Sequence, residues 1–376
     1  MTARLVGEPS VSCGDPAFDM SNRGVIDQLA NWLEALGFSI EISEVAERPG
    51  KFNLVARLGE GTNGLVLAGH TDTVPYDEAL WQSDPFTLSE RDDRWYGLGS
   101  TDMKGFFALV LSTVAPLVNE KFEAPLTIIA TADEESTMSG ARALAAADVA
   151  GARYAIIGEP TSLKPVNRHK GIMFLNASLK GASGHSSNPD LGINALDASA
   201  ELITELTAFR NDMKRRFTDT AFGVAYPTLN LGCIHGGDSP NRICDNVGLA
   251  FDMRILPQME SEAIFDELRH RLETAFHNHP VSLDLSLANP WVDPFSNDEE
   301  GFLKLVSNIS GQDPGPVAFA TEAPFLTSLG LETIVLGPGS IDNAHQPDEY
   351  LPVDEIEPTI AILRGLIERI CLARHD

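Results

Sequence analysis

Five polar clusters in this sequence follow predicted strands, and together they offer two histidines and five carboxylates as candidate site residues. The clusters are GHTDTVP, GSTDMKG, TADEES, GEPTS and DNAHQPDE, which contain His70, Asp72, Asp102, Glu134, Glu135, Glu159 and His345. Carboxylates that converge on one pocket repel one another and take up protons unless cations hold them together. Two histidines combined with several carboxylates suit zinc or a similar borderline metal. The residue types therefore indicate a metal site if the clusters meet.

The first cluster also has a geometric argument. In a β-strand successive side chains point to opposite faces, so His70 and Asp72 would share a face while Thr71 points away. The pair can therefore act together. The alternative is an ordinary strand end, in which His70 is a satisfied polar side chain and Asp72 begins a turn toward Pro75.

Two other clusters have structural alternatives as well. Asp102 would cap a helix over residues 103–118. Glu134 and Glu135 would form the acidic first turn of a following helix. Singly, each alternative is adequate, but jointly they leave the convergence of so many carboxylates unexplained.

The elements that must position these clusters alternate between helices and strands in the first half of the chain. Helical spacing of apolar residues is found in VIDQLANWLEALG, KGFFALVLSTVAPL and SGARALAAA. Strands are predicted in FSIEIS, FNLVARLG, LVLAGH, LTIIATA and YAIIG. This alternation predicts an α/β fold with a helix-flanked, largely parallel or mixed sheet. Ligand sites in such sheets gather at the strand ends, where the clusters lie.

Residues 172–288 have a different pattern. The strands MFLNASLKG, TLNLGCIHGG and VGLAFDMRIL alternate there with two amphipathic helices, near 193–215 and 260–277. After this segment the α/β pattern returns with ETIVLGPGS and a final helix that begins near Pro358. We therefore expect a large α/β domain over 1–171 and 289–376, with a smaller α+β domain over 172–288 inserted into it.

Composition narrows the classes of partner and compartment. The formal net charge of −27 over 376 residues argues against nucleic acid and anionic membranes as partners, because both would be repelled. The acidity either keeps the surface well solvated or attracts a cationic substrate. The four cysteines form no C-x-x-C pair, and neither a secretory leader nor a run of roughly 18 apolar residues is found. We expect a soluble protein of the cytoplasm with reduced thiols.

Longer stretches carry a resemblance to a known family. They are YGLGSTDMKGFFA, ATADEES, AIIGEPTSLKPV, HKG, GHSS, YPTLNLGCIHGGDSPNRIC, TEAPF and VLGPGSIDNAHQPDEYL. In this order, and over nearly the whole chain, they resemble the di-zinc aminoacylase and exopeptidase family. The closer likeness is to members that remove the acetyl group from N2-acetyl-L-ornithine in arginine biosynthesis. The resemblance implies a hydrolase of a linear amide with two divalent ions per chain, Zn²⁺ being expected and Co²⁺ the alternative.

The resemblance also implies the metal ligands. His70 and Glu159 would bind one metal, Glu135 and His345 would bind the other, and Asp102 would bridge both. A carboxylate can span two cations with its two oxygens, while single imidazoles fill terminal positions.

Three further residues take catalytic roles by the same resemblance. Asp72 would accept a hydrogen bond from the free ring nitrogen of His70 and fix its orientation. Glu134 would be the general base, diverging from Glu135 at an extended strand end. His185, in GASGHSSNP, would reach the site of a neighbouring subunit and stabilise the negative tetrahedral oxygen. This predicts a homodimer formed through the inserted domain, with a shared active site.

Four residues would hold the substrate, an N-acetyl amino acid, and three of them match family positions. Lys170, Asn241 and Arg254 would recognise its carboxylate, with Arg254 the best suited because a guanidinium grips a carboxylate with two parallel hydrogen bonds. Glu322 would meet the cationic side chain of ornithine. The alternative for Lys170 is a surface ion pair.

Three other functions stay open at this point. Succinyl-diaminopimelate desuccinylation, or broader N-acyl-amino-acid deacylation, would use the same metal ligands with a different acyl pocket. A catalytically inactive binding or assembly homologue would share the fold. Glu134 beside a full ligand set disfavours the inactive homologue, because such a protein has no chemical reason to keep a base there.

Overall fold

The computed structural model describes residues 1–373 and divides the chain into two units. The first unit comprises Met1–Asn167, Asn297–Gly315 and the chain from Thr321 onward, and the second comprises Arg168–Ser296 and Pro316–Ala320. The assignment of 1–171 with 289–376, and of 172–288, as domains stays a prediction.

The α-helices of the described residues are numbered in chain order. They are α1 Thr2–Val6, α2 Arg23–Ala35, α3 Lys104–Val114, α4 Ser139–Arg142, α5 Ala195–Arg216, α6 Ser261–Phe276, α7 Glu300–Ser310, α8 Ala323–Ser328 and α9 Ile356–Ile370. Within residues 1–373, none of these helices is both long enough and apolar enough to cross a membrane.

The strands are numbered in the same way. They are β1 Ser39–Glu44, β2 Phe52–Leu58, β3 Gly64–His70, β4 Ser89–Arg91, β5 Arg94–Tyr96, β6 Leu126–Thr131, β7 Ala152–Ile157, β8 Val166–His169, β9 Gly171–Lys180, β10 Gly184–His185, β11 Thr228–Gly236, β12 Arg242–Ile243, β13 Asn246–Ile255, β14 Ser282–Leu287, β15 Phe295–Ser296, β16 Gly315–Val317, β17 Glu332–Val335 and β18 Tyr350–Pro352.

The first unit is built on a mixed sheet with the strand order β1-β2-β6-β3-β7-β17. The four inner strands β6, β3, β7 and β17 run parallel, while β1 and β2 pair antiparallel at one side. Every residue of β3 and β6 is buried, as expected for strands covered on both faces. The predicted α/β fold with a helix-flanked mixed sheet is confirmed. Parallel strands end at the same edge, so the segments that follow them are brought together there.

Helix α3 is apolar almost all round and fills the core of this unit. Ten of its eleven residues are buried, including Lys104, whose Nζ donates to the carbonyl of Glu8 at 3.0 Å. The phenyl ring of Phe106 leaves no space for a side chain at Gly158, where a Cβ would lie 2.3 Å from the ring. Gly158 is therefore required for α3 to pack against the residue that precedes Glu159.

Two helical boundaries differ from the predictions. The helix expected over 103–118 ends at Val114, and Met103 rather than Asp102 occupies its N-cap position. The helix expected in SGARALAAA is a single turn, α4. After it the backbone tightens, because Leu144 N donates to the carbonyl of Ala141 and Ala145 N donates to Asp148 Oδ2. The residues after α4 are therefore held in turns rather than in the longer helix that was predicted.

A small antiparallel sheet brings a distant segment to the loop after β5. Strand β18 pairs with β5, and β5 pairs with β4. This pairing places Glu349, the residue before β18, beside the loop Gly99–Asp102.

The second unit contains a four-stranded antiparallel sheet in the order β11-β13-β9-β14. Burial alternates along β9 and β13, so one face packs against α5 and α6 and the other does not. Leu202 and Leu206 of α5 and Leu268 and Leu272 of α6 are completely buried in the resulting core. Strands β11 and β14 form the two edges of this sheet.

Candidate metal centre

The polar clusters meet because the parallel strands of the first unit end at one edge. His70 is the last residue of β3, Glu134 and Glu135 follow β6, and Glu159 follows β7. His345 lies in the long loop between β17 and β18. The meeting of these clusters, which the sequence only suggested, is a direct result of the strand order.

Asp102 lies between the two histidines. Its Oδ1 is 3.0 Å from Nε2 of His70, and its Oδ2 is 3.4 Å from Nε2 of His345. Each carboxylate oxygen therefore faces a different imidazole. This arrangement corresponds to neither the helix cap nor any other structural alternative for Asp102, since α3 has no side-chain cap.

The two remaining carboxylates flank this row on opposite sides. Nε2 of His70 is 3.9 Å from Glu159 Oε1, and Nε2 of His345 is 3.0 Å from Glu135 Oε2. Potential ligand atoms lie within 4.8 Å of one another in two overlapping groups, one of His70, Glu134 and Glu159 and one of His70, Asp102 and Glu135. His345 is in neither group, although its Nε2 faces Asp102 and Glu135.

The electrostatics of the group are those of crowded carboxylates. Burial, together with the charge of Glu159, raises the pKa of Glu134 well above its usual value. Burial and the charge of Asp102 raise the pKa of Glu159 in the same way. Hydrogen bonds to Asp102 and Glu135 raise the pKa of His345 to about 10. These three shifts favour the protonated forms of two buried carboxyl groups and of the exposed His345 imidazole, beside concentrated negative charge.

Divalent cations fit this donor set. Glu159 Oε1 is buried and has no hydrogen-bond partner, although an unsatisfied buried carboxylate oxygen costs free energy. Cations would satisfy that oxygen and neutralise the repulsion that otherwise drives protonation. Mixed imidazole and carboxylate ligands are typical of zinc and of neighbouring transition metals.

The turn after β6 corrects two details predicted from the sequence. Glu134 and Glu135 do not lie on an extended strand end, because Asp133 has a left-handed backbone with φ 64° and begins a turn there. The backbone N–H groups of Glu134 and Glu135 both donate to the carboxylate of Asp72, at 3.2 Å each. They are also not in a first helical turn, since α4 begins only at Ser139.

Asp72 consequently contacts His70 differently from the prediction. Nδ1 of His70 lies 3.0 Å from the backbone carbonyl of Asp72 and 3.7 Å from its carboxylate. The carbonyl orients the ring, and the carboxylate orients the turn that carries Glu134 and Glu135. The interpretation of Asp72 as only the start of a turn toward Pro75 does not account for these contacts.

Glu349 is a residue of this site that sequence reasoning missed. Its carboxylate is 1 % exposed and accepts hydrogen bonds from the backbone N–H groups of Gly99, Thr101 and Asp102, at 3.1, 2.8 and 3.0 Å. Burial raises the pKa of Glu349 to about 7. The local signal is its place at the end of the cluster DNAHQPDE, directly before β18. Glu349 holds the loop from which Asp102 projects.

Glu322 lies with the carboxylates of the first unit. It is 1 % exposed, and its Oε1 has no hydrogen-bond partner. Burial raises its pKa to about 7, and its charge acts on Glu134 and Glu159.

The other predicted site residues belong to the second unit. His185 is exposed, and its Nδ1 accepts a hydrogen bond from Ser187 Oγ at 2.7 Å. Asn241 is exposed and accepts one from Ser239 Oγ at 2.6 Å.

Lys170 and Arg254 already have partners in this unit. Nζ of Lys170 donates to the carbonyls of Val224 and Tyr226, at 2.8 and 2.7 Å. Nε of Arg254 lies 3.1 Å from Asp252 Oδ2. Lys170 is 2 % exposed, so the alternative of a surface ion pair is wrong for it.

Comparison with known proteins agrees with this geometry. The chain is 45% identical over 371 residues to a protein of Proteus mirabilis (strain HI4320) named acetylornithine deacetylase, covering 98% of this chain and 96% of that protein. The fold is similar to that of aminopeptidase PepT from Bacillus cereus, with a TM-score of 0.76, 20% identity and coverage of 98% and 96%. It is also similar to Bacillus subtilis YXEP, described as a dinuclear metal binding peptidase of the M20 family, with a TM-score of 0.69, 15% identity and coverage of 98% and 96%.

The pattern that defines peptidase family M20/M25/M40 matches residues 66–369. That range includes the whole second unit and most of the first, with the residues His70, Asp102, Glu135, Glu159 and His345. Together with the identity to a full-length relative, this match shows that the chain belongs to peptidase family M20/M25/M40.

Proposed function

We propose that this protein is a metal-dependent amide hydrolase that removes the acetyl group from N2-acetyl-L-ornithine, giving L-ornithine and acetate for arginine biosynthesis. The observation that carries the proposal is the 45% identity, over 98% of the chain, to a protein named acetylornithine deacetylase. The row of His70, Asp102 and His345, flanked by Glu159 and Glu135, supports a hydrolytic metal centre.

Two divalent cations per chain, zinc or alternatively cobalt, would be held by five residues of the first unit. These are His70 and Glu159 for one cation, Glu135 and His345 for the other, and Asp102 between them. When bound, the cations would supply Lewis-acid polarisation of the amide carbonyl and acidification of water. Metal analysis of the fully loaded protein should give about two ions per chain, and a maximum of one would contradict the bridging role of Asp102.

Glu134 is the general base of the proposed mechanism. Its ionised carboxylate takes the proton from the attacking water as the new C–O bond forms, and the resulting carboxyl returns that proton to the amine nitrogen as the C–N bond breaks. The hydrogen bond from its own N–H to Asp72 supports this role, because it fixes the turn that aims the side chain. The proton balance leaves ornithine and acetate as products.

The substrate carboxylate is assigned to Arg254 and Asn241, with Lys170 as a supporting residue. Arg254 is half-buried and keeps guanidinium nitrogens beyond the one that faces Asp252. Lys170 donates to the carbonyls of Val224 and Tyr226, so its proposed role is to hold that segment in place.

A homodimer with a shared active site is part of the proposal. Residues 232–236 of β11 are mostly exposed at the edge of the sheet, and an open edge favours pairing with another chain. His185 would then serve the metals of the partner and stabilise the negative oxygen of the tetrahedral intermediate.

Subunit exchange tests the shared site. Chains carrying Glu134→Ala and chains carrying His185→Ala are each expected to be inactive. If His185 acts across the interface, the mixed dimer has one intact site and activity returns. A mixture that stays inactive after proven exchange would place His185 in the site of its own chain.

A substrate comparison tests the function itself. Zinc-loaded and cobalt-loaded protein should release acetate from N2-acetyl-L-ornithine much faster than succinate from N-succinyl-L,L-diaminopimelate. Faster release of succinate would identify a desuccinylase instead, and similar rates with many N-acyl amino acids would identify a broad deacylase. Metal binding without any hydrolysis would support the inactive homologue.

The compartment and the remaining partners are proposed with it. All four cysteines carry free thiols, which supports a reducing cytoplasm. The net charge of −27 supports a protein that avoids nucleic acid and anionic membranes.

A further inference from the structure

A small cavity lies beside the candidate metal centre within the first unit. Its volume is about 160 Å³, and its walls come from two loops, residues 74–81 and residues 345–347, together with Leu98. We call it the loop 74–81 pocket. His345 contributes to its wall, while Nε2 of the same ring faces Asp102 and Glu135. The pocket and the metal centre are therefore separated by one imidazole ring.

The walls of the pocket are aromatic, aliphatic and acidic. Tyr76 and Trp81 supply rings, Leu80 supplies aliphatic surface, and Asp77 supplies a carboxylate, while neither lysine nor arginine lines it. Aromatic faces attract a cation, and a carboxylate adds a charge-assisted hydrogen bond. These walls favour an alkylammonium group and disfavour an anion.

The size of the pocket fits a short side chain. A volume of about 160 Å³ corresponds to about five water molecules at about 30 Å³ each. The side chain of ornithine has four heavy atoms, three methylenes and an ammonium nitrogen.

The two loops are tied together without a ligand, so the pocket is preformed. The backbone N–H of Gln82 donates to Asp348 Oδ1 at 2.9 Å, which joins the end of one loop to the end of the other. The ring of Tyr76 packs edge-on against Phe86, with centroids 5.0 Å apart. A ligand group entering here would meet walls whose positions are already fixed.

We propose that the loop 74–81 pocket binds the positively charged side chain of the substrate, with Asp77 as its counter-ion and Trp81 and Tyr76 as its aromatic walls. The proposal rests on the proposed function and adds the residues that select a basic amino acid. The sequence assigned this ammonium to Glu322, but Glu322 is 1 % exposed and its charge acts on the metal-centre carboxylates. Asp77 is exposed and its Oδ1 accepts from Ala79 N at 3.1 Å, which leaves lone pairs for a ligand.

The variant Asp77→Asn tests the charge without disturbing the loop. Asparagine keeps the oxygen that accepts from Ala79 N, and it caps such turns as well as aspartate does. Glu78→Gln is the matched control, because Glu78 is the exposed acidic neighbour and does not line the pocket. Both variants remove one negative charge from the same loop.

The measurement is the ratio of kcat/KM for N2-acetyl-L-ornithine to kcat/KM for N-acetyl-L-norvaline, which has the same carbon chain without the amine. This ratio should fall about tenfold in Asp77→Asn, the low end for a hydrogen bond to a charged group, and should not change in Glu78→Gln. An unchanged ratio in Asp77→Asn, or an equal fall in both variants, would overturn the proposal.

A second measurement does not depend on turnover. Propylammonium chloride added to the zinc-loaded protein at constant ionic strength should change the tryptophan emission, and Trp81→Phe should abolish this change. The response should weaken in Asp77→Asn, and 1-propanol should have no comparable effect. Equal responses of wild type and Asp77→Asn, including none in either, would contradict the pocket even if acetylornithine is hydrolysed. A propylammonium response without such hydrolysis would support the pocket and refute the proposed function.

Discussion

Replacing Glu349 with glutamine should loosen the loop that carries Asp102. In the wild type, Oε1 of Glu349 accepts from the N–H groups of Thr101 and Asp102, and Oε2 accepts from that of Gly99. Glutamine has one carbonyl oxygen and one amino group, so it can replace only one of the two oxygens. In its better orientation it keeps the first two hydrogen bonds and turns its amino group toward the N–H of Gly99.

The cost follows from burial. Glu349 is 1 % exposed, so bulk water cannot satisfy both the amino group of the glutamine and the N–H of Gly99 that it would face. An unsatisfied buried donor costs about 1–3 kcal/mol, which should lower the melting temperature by a few degrees. Because the loop positions a residue between the two histidines, zinc affinity should fall by roughly ten- to a hundredfold, as for other groups that orient metal ligands.

Metal titration of the apo-protein and thermal unfolding of the loaded protein would measure the two effects. Glu355→Gln is the control, because Glu355 is half-buried and accepts a single backbone N–H, that of Gly339 at 2.7 Å, which glutamine can still accept. Its zinc affinity should stay within about twofold of wild type, well below the loss expected for misoriented ligands. Wild-type zinc affinity and melting temperature in Glu349→Gln would refute the argument that this carboxylate holds the loop.

Three further changes separate the roles of other residues. Glu134→Gln should lower kcat at least about a hundredfold while two metals per chain remain, and loss of the metals would instead make Glu134 a ligand. Asp72→Ala leaves the N–H groups of Glu134 and Glu135 without their acceptor, so we expect roughly ten- to a hundredfold weaker zinc binding, and unchanged affinity and activity would exclude a role in the site. Burial lowers the pKa of His169 to about 4, so as the pH falls the unfolded chain binds a proton at this residue before the folded chain does. About 3 kcal/mol of folding stability should therefore be lost between pH 6.5 and 4. His169→Asn should flatten urea-unfolding stability over that window, and an unchanged pH profile would contradict the assignment.

The site could be predicted where residue type and strand position coincide. His70 ends a buried strand, and Glu159 follows one, so hydrophobic patterning alone places both near a sheet edge. The pattern does not say which strands are neighbours. That β3 lies between β6 and β7, and that β17 completes the parallel set, follows from long-range pairing.

The features of the site that were predicted wrongly or missed are those determined by a few individual hydrogen bonds. The left-handed backbone of Asp133 turns Glu134 and Glu135 out of the strand, and the carboxylate of Asp133 accepts from Ser139 Oγ to hold that turn. The role of Glu349 could not be predicted because its hydrogen-bond partners are distant in the sequence. Gly99, for example, lies 250 residues earlier. Neither effect changes hydrophobic periodicity, which is the signal that sequence analysis uses.

The discontinuity of the first unit has a consequence for biosynthesis. Translation proceeds from the N-terminus, so His70, Asp102 and Glu135 leave the ribosome before the entire second unit, whereas His345 follows it. Until β17 emerges, β7 lacks its partner on one side, because the pairing of Glu332 with Tyr154 cannot yet form. A growing chain therefore presents an apolar strand edge that can pair with the wrong strand. It also lacks a residue proposed to bind the second cation. In the proposed metal centre, the second cation could therefore bind only after His345 has emerged.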